Sequence, residues 1–379
     1  MLALMPLGWL AGALSLVGCI YMVAATALTA RFLRGRTPAA PPPAPVSLIK
    51  PLHGAYPGML DVLQGYCDQD YGAAVQIVFG VRDPADPAVA VVAALRARRP
   101  YADIELVVDP AQHGANRKVS NLINIAARAR HPILVLSDAD ISVGPDYLRQ
   151  VTAALAGRGV GAASCLYVGE DDGTPWSGLG AMAINNAFLP NAVLGLTLGL
   201  ARPCFGSTIA LTAQTLAEIG GLQAFADHLA DDYEIGRAVR ARGLAIAVPR
   251  MVVSHRCIEA TGADLIDHEL RWGRTVRQLE PAGYLGSVIT HPLPLALVAG
   301  PLIGAPIPAL TLILTALGVR IFCKFAMDAT TGAPAGHWWL IPARDILSFG
   351  VFVASFTVNT VGWQGGRFRV GRDGVLSHT

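Results

Sequence analysis

Residues 137–140, "SDAD", place two carboxylates one residue apart, directly after the apolar run "ILVL" at 133–136. Side chains alternate along an extended chain, so Asp138 and Asp140 point to the same side. Unpaired carboxylates at the margin of a buried strand are costly unless something cationic meets them. Two hard oxygen donors so placed suit Mg2+ or Mn2+, with a bound diphosphate completing the shell. The competing reading is a turn in which Asp140 caps a loop. A second acidic pair, Asp231 and Asp232, stands in "HLADDYEIGRAVRARG", just ahead of an amphipathic helix. One acid is expected to cap that helix and complement its dipole. The other is expected to face a cleft, where a carboxylate can act as general base toward a hydroxyl. Further on, "DHELRWGRT" sets Arg271 beside Trp272. Arginine suits bidentate phosphate contact, and the indole offers a flat face to a sugar or lipid head. Interfacial anchoring competes as an explanation for Trp272.

These residues need a scaffold, and the pattern from Val46 onward supplies one. "VSLIKPL", "VQIVFGV", "IELVVD" and "PILVL" read as short buried strands. Helical segments are expected between them at 57–67, 87–98 and 117–130. The alternation predicts a parallel sheet covered by helices on both faces. Ligands of such sheets sit at the carboxyl ends of the strands. Asp83, Asp109 and the Asp138/Asp140 pair all fall there.

The rest of the chain points to a bilayer. Of 379 residues 53% are hydrophobic and only 15% charged, against about a quarter charged in ordinary soluble domains. No charge precedes Arg31, and residues 7–30 are long enough to span. Arg31, Arg34 and Arg36 follow, which favours a cytoplasmic location for what comes next. A cleaved signal peptide would need a basic start and a shorter apolar core. Residues 287–319 form a second apolar tract, broken by prolines into two expected helices joined near 304–306. A third runs over 346–363, preceded by Arg344 and Asp345, and is expected to span, re-enter or lie at the interface. Arg367, Arg369 and Arg372 suggest a cytoplasmic tail. "PAAPPPAP" at 38–45 is a stiff spacer. Six cysteines without CxxC spacing argue against a zinc site or disulfide framework. A net charge of +2 is too small to suggest a nucleic-acid binder, and there is no dense basic stripe.

Taken in order, "VSLIKPLHG", "VRDPADPA", "SDAD", "ADDYEIGRA" and "HELRW", with an apolar start and apolar tracts after them, resemble the ceramide-glucosyltransferase-type branch of the family 2-like, GT-A-fold membrane glycosyltransferases. Within that branch "HGANRKVSNLIN" and "ARPCFGSTIAL" look most like the hopanoid-biosynthesis-associated bacterial enzymes. The resemblance implies an α/β fold, a Rossmann-like, mostly parallel GT-A domain at 46–285. An anchor at 1–32, a linker at 33–45 and a C-terminal membrane region at 286–379 would complete it. It implies transfer from a UDP-sugar to a lipid hydroxyl at the bacterial inner membrane, on the cytoplasmic face. By position Asp83 and Lys118 would contact the nucleotide; a surface lysine is the alternative for Lys118. Asp138 and Asp140 would serve the ribose, metal and diphosphate, and Asp232 would be the catalytic base. Arg271 would close over the diphosphate, and Asp231, His268 and Trp272 over the acceptor. His268 departs from the Gln/Arg usual at the head of that motif, whereas the full Asp-x-Asp favours the metal. His255 is either an extra metal ligand or a surface histidine. Ceramide and diacylglycerol are alternative acceptors, and a processive polysaccharide synthase, transporter or scaffold are alternative functions.

Overall fold

The structure, a computed structural model, describes residues 4–35, 42–202 and 204–357, followed by three short strands at Thr360–Trp363, Gly366–Val370 and Leu376–His378. Residues 36–41 of the expected linker and Arg372 of the expected tail lie outside the described residues. The chain forms two compact units. One gathers Gly35–Tyr167 and Ala201–Arg256; the other gathers Met1–Arg34, Val168–Leu200 and Cys257–Thr379.

The chain opens with helix α1 (Met5–Leu33). The alternating region follows as β1 (Val46–Pro51), α2 (Met59–Cys67), β2 (Val75–Val81), α3 (Ala88–Arg98) and β3 (Asp103–Val108). It continues through α4 (Arg117–Ala126), β4 (Ile133–Leu136), β5 (Ile141–Ser142), α5 (Tyr147–Leu155) and β6 (Val160–Ser164). After β7 (Leu166–Asp171) come two apolar helices, α6 (Pro175–Ala183) and α7 (Leu189–Thr197). The chain then runs through β8 (Ile209–Thr212), α8 (Ala213–Glu218), α9 (Asp231–Ala241), β9 (Ala245–Ala247) and β10 (Val252–Cys257). The last helices are α10 (Gly262–Leu279), α11 (Pro281–Gly286), α12 (Pro292–Ile303), α13 (Pro306–Thr331) and α14 (Ile341–Ala354).

In the first unit a seven-stranded sheet runs in the order β3-β2-β1-β4-β8-β6-β9. The pairs β3–β2, β2–β1 and β1–β4 are parallel, as the sequence pattern predicts. β8 runs antiparallel to both of its neighbours, so the sheet is mixed. Every residue of β1 is buried, polar ones included, the near-continuous burial a strand covered on both faces requires. Ser47 donates to Gln76 on β2 at 2.7 Å, which satisfies the polar pair inside the sheet. Apolar positions on α4 (Val119, Leu122, Ile125) pack on Ile49, Val78, Leu134 and Leu136. Asn116 caps α4 by accepting from Val119 N–H at 3.0 Å, which fixes where the first turn, and Lys118 in it, begins. The strand order reverses around β1, with β2 and β3 on one side and β4 on the other. Crevices form at such a reversal, and the Asp-x-Asp segment leaves the end of β4 there.

In the second unit α1, α12 and α13 pack on one another through Cys19, Leu293, Ala296, Ala299, Ile303, Leu312 and Ala316. Small side chains let the helices approach closely. The predicted break near 304–306 is present, although α13 extends to Thr331, well beyond the apolar tract. Among the described residues three helical segments are long and apolar enough to cross a membrane: Met5–Leu33, Pro175–Thr197 and Pro306–Thr331. A bent pair, Pro281–Thr290 with Pro292–Ile303, is a possible fourth by length and composition. The segment at 175–197 escapes the sequence reading because a π-helical turn, Ile184–Phe188, interrupts it and Asn185 and Asn186 dilute its apolar pattern. The third predicted tract divides into α14, 14 residues long, and a strand at Thr360–Trp363. At about 1.5 Å per residue α14 covers about 21 Å, short of the roughly 30 Å hydrocarbon core.

The contact between β2 and α4 admits a direct test. A Cβ on Gly80 would collide with Ile125 and Asn121, while Asn121 donates to the Gly80 carbonyl at 2.8 Å. Gly80→Ala is expected to destabilise the protein by about 1–3 kcal/mol. Melting of the detergent-solubilised variant would measure it, and an unchanged melting temperature would contradict the close packing.

Candidate active site

Beyond the end of β4 the chain makes a short turn, and three acidic side chains, Asp138, Asp231 and Asp232, gather around Lys118 with Asp140 beside Asp138. Lys118 Nζ lies 2.7 Å from Asp138 Oδ1 and 3.1 Å from Asp231 Oδ2. Asp232 is held by its neighbours: Gly206 N–H donates to Oδ2 at 2.9 Å and Tyr233 N–H to Oδ1 at 2.7 Å. Gly206 also accepts from Asp138 N–H at 3.1 Å, so one peptide stretch braces both acids. A Cβ at residue 206 would come to 2.5 Å from Asp138 Oδ2 and 3.2 Å from Lys118 Nζ. Only glycine leaves the two charges room there. Asp140 Oδ2 sits 3.3 Å from His255 Nε2.

The electrostatics follow from this crowding. Burial works against the charge of Lys118, but Asp138, Asp231 and Asp232 outweigh it and push its pKa up. Burial, with the charges of Asp140 and Asp231, raises the Asp138 carboxyl despite the Lys118 contact. Burial, with Asp231 beside it, lifts Asp232 to about 6. Burial opposes ionisation of Asp140 too, yet His255 and Lys50 prevail and hold it well below the usual carboxylate range. Two lysines, Lys118 and Lys50, face four carboxylates, and further positive charge is the natural complement.

A divalent cation fits that demand. Asp140 Oδ1 is buried and lacks a hydrogen-bond partner, the condition of a ligand atom awaiting an ion. Among the described residues no three His, Cys, Asp or Glu side chains converge as a metal site. The protein therefore offers carboxylates and leaves the remaining positions to oxygens from elsewhere, as Mg2+ sites with phosphate commonly do.

Several expected residues fall elsewhere. Asp83 is exposed and accepts from Ala85 N–H at 2.8 Å, closing a local turn. No hydrogen bond or ion pair among the described residues joins it to Asp138, Asp140 or Asp232. Asp109 does the same with Ala111 N–H at 2.8 Å. Asp86 is the buried acid of that stretch, accepting from Gly54 N–H at 3.0 Å and Ala88 N–H at 2.9 Å. Neither acid of the second pair caps α9. The cap position is Ala230, with no side-chain cap; Asp231 turns to Lys118 instead, and both acids occupy the first helical turn, where the dipole favours them. Lys118 is an ion-paired residue rather than a surface lysine, and His255 is 9% exposed, packed against Tyr167. Lys50 is the large omission of the sequence reading: it is 1% exposed and bonded beneath the Asp-x-Asp turn.

His268, Arg271 and Trp272 lie on α10, in the other unit. A capping box of Thr261 and Asp264 starts that helix. His268 Nδ1 lies 2.6 Å from Glu259 Oε1, and its ring meets Trp272 edge-on with centroids 4.3 Å apart. One residue on, Glu269 takes two bonds of 2.6 Å from Arg344.

The seven-stranded mixed sheet with an Asp-x-Asp turn after β4 is the GT-A glycosyltransferase fold. The chain aligns over 91% of its length with 99% of a mannosyltransferase from Pyrobaculum calidifontis, solved with GDP-Man and Mn2+, at a TM-score of 0.53 and 17% identity. The signature of glycosyl transferase family 21 matches residues 10–376, and the chain belongs to that family; it is a glycosyltransferase. Ceramide glucosyltransferase 1 of Caenorhabditis elegans is 22% identical over 87% of this chain and 72% of its own length. Ceramide glucosyltransferase 3 of the same organism is 23% identical over 60% of this chain and 49% of its own.

The Arg344–Glu269 pair anchors the helix bearing the Arg-Trp motif, and Arg344 is almost wholly buried. Arg344→Leu, which strands the carboxylate, is expected to cost up to about 3–5 kcal/mol. The Arg344→Leu/Glu269→Leu double variant should recover much of that loss. Melting curves of the three proteins would decide it, and additive losses would refute the coupling.

Proposed function

We propose that the enzyme transfers N-acetylglucosamine or glucose, with inversion, from a UDP-sugar to a hydroxyl of a membrane lipid, a hopanoid polyol such as bacteriohopanetetrol by motif resemblance. The observation that carries this reading is the surplus of carboxylates around Lys118 at the end of β4, with Asp232 braced beside them. Ceramide is the second acceptor to weigh, favoured by the names of the Caenorhabditis relatives. The helices of spanning length support a bilayer setting, and Arg31 in the last turn of α1 and Arg34 at its C-cap support the cytoplasmic face of a bacterial inner membrane.

In this mechanism Asp232 is the base. At about 6 its pKa leaves it ionised at neutral pH yet basic enough to take a proton from an attacking hydroxyl. The bonds from Gly206 and Tyr233 hold the carboxylate so that proton transfer needs no reorganisation. As the hydroxyl oxygen bonds to the anomeric carbon, the bond to the diphosphate oxygen breaks with inversion. A divalent ion held by Asp138 and Asp140 would supply charge neutralisation to the departing diphosphate. Lys118 offers a second positive charge to the donor, and the motif resemblance assigns Arg271 to the diphosphate and His268 and Trp272, with Asp231, to the acceptor.

Membranes incubated with labelled UDP-GlcNAc and UDP-Glc should yield a labelled lipid whose identity names the acceptor, and EDTA should abolish its formation. Asp232→Asn is expected to lower kcat by about 10²–10⁴-fold with donor binding retained. Because the base must be unprotonated, kcat/KM should rise with pH through about 6. That limb should vanish in Asp232→Asn. Full activity in the variant would remove Asp232 from the mechanism.

A further inference from the structure

Lys50 sits in β1 at the strand reversal, 1% exposed, and belongs to none of the roles above. Its ammonium donates to the Asp138 carbonyl. It also lies 3.0 Å from Tyr66 Oη, 3.4 Å from Ser137 Oγ and 3.5 Å from the Ile141 carbonyl. Tyr66 extends the contact, donating to the Ile141 carbonyl at 2.9 Å and bonding Ser137 Oγ at 2.7 Å. The two middle carbonyls of the same turn are held as well. Tyr56 donates to that of Ala139 at 2.9 Å, and Arg256 N–H to that of Asp140 at 2.9 Å. All four carbonyls from 138 to 141 are thus tied back into the protein, and the carboxylates alone are left to meet a ligand.

We infer that Lys50 is a positioning residue for the metal site, pinning both ends of the 138–141 turn to β1 so that the Asp138 and Asp140 carboxylates are set before an ion arrives. The inference rests on the reading of those two acids as metal ligands. A residue serving the core alone would be apolar here, since a buried ammonium carries a desolvation cost that leucine or methionine avoids. Lys50 is nonetheless kept here, its ammonium set among the oxygens of Tyr66, Ser137, Asp138 and Ile141. Its position behind two neighbouring carboxylates also offsets their mutual repulsion. Groups that orient metal ligands from behind typically change metal affinity 10–100-fold when removed.

The test is Mn2+ titration of the full chain in detergent with UDP present, read by electron paramagnetic resonance. Lys50→Met should weaken the apparent Mn2+ affinity by about 10–100-fold, with KM for the lipid acceptor unchanged. Tyr66→Phe, which keeps the ammonium but removes a hydroxyl that steers it, should show a smaller loss. Wild-type Mn2+ affinity in a folded Lys50→Met overturns the inference while leaving the metal reading intact. If Lys50→Met does not fold, unchanged affinity in Tyr66→Phe overturns it. Failure of the wild-type protein to bind Mn2+ with UDP would instead sink the metal reading itself, and this inference with it.

Discussion

The organising constraint is an imbalance of charge. Asp138, Asp231 and Asp232 press on Lys118 from three directions, and Asp140 stands beside them with one oxygen buried and unbonded. A folded protein keeps such a cluster only if each acid is held by several groups. The structure supplies those groups from separate parts of the chain: Lys118 from the first turn of α4, Gly206 and Tyr233 around Asp232, His255 on β10 against Asp140. Removing any one leaves its acid poorly compensated. The strain in the cluster and its readiness for a cationic ligand are therefore the same property.

The sheet makes this possible through its reversal at β1. Parallel pairing sends β1 and β4 out in the same direction, so the residues after β4 stand above the end of β1. The antiparallel β8, on the far side of β4, is preceded by residues 205–208. That strand direction is what delivers the Gly206 backbone to the acids, bonded to Asp138 and Asp232 at once. A wholly parallel sheet would begin its next strand at the opposite edge. The one departure from the predicted parallel order is thus the feature that completes the acid cluster.

What the sequence made legible were properties carried by short, local patterns. The strands at β1 to β4 announce themselves as apolar runs, the Asp-x-Asp by its place after one of them, and the break near 304–306 by its prolines. What it concealed depends on choices between near neighbours. Asp83 and Asp86 lie three residues apart at the end of β2, and nothing in "VRDPADPA" tells which one is buried. Asp83 closes its own turn while Asp86 holds two backbone amides. Lys50 stands inside the run "VSLIKPL" with no local signal of its role, because its partners come from residues 66, 137, 138 and 141. The π-turn between α6 and α7 was equally hidden, since it breaks the very periodicity by which a helix is recognised.

His268 illustrates how a departure from a motif can be accommodated by its surroundings. Histidine at that position presents a ring where a flexible amide or guanidinium is usual, and a ring is useful only if its plane is fixed. Glu259, nine residues earlier and outside α10, receives Nδ1 at 2.6 Å, which fixes both the tautomer and the plane. The ring then meets Trp272 edge-on, one helical turn along, a geometry that suits the positive rim of one ring to the negative face of the other. One residue further, Arg344 fixes Glu269 on a neighbouring face of the helix. Two carboxylate contacts on consecutive residues restrain rotation of α10 about its own axis. The direction in which Arg271 and Trp272 point is thereby set by side chains that belong to no recognised motif.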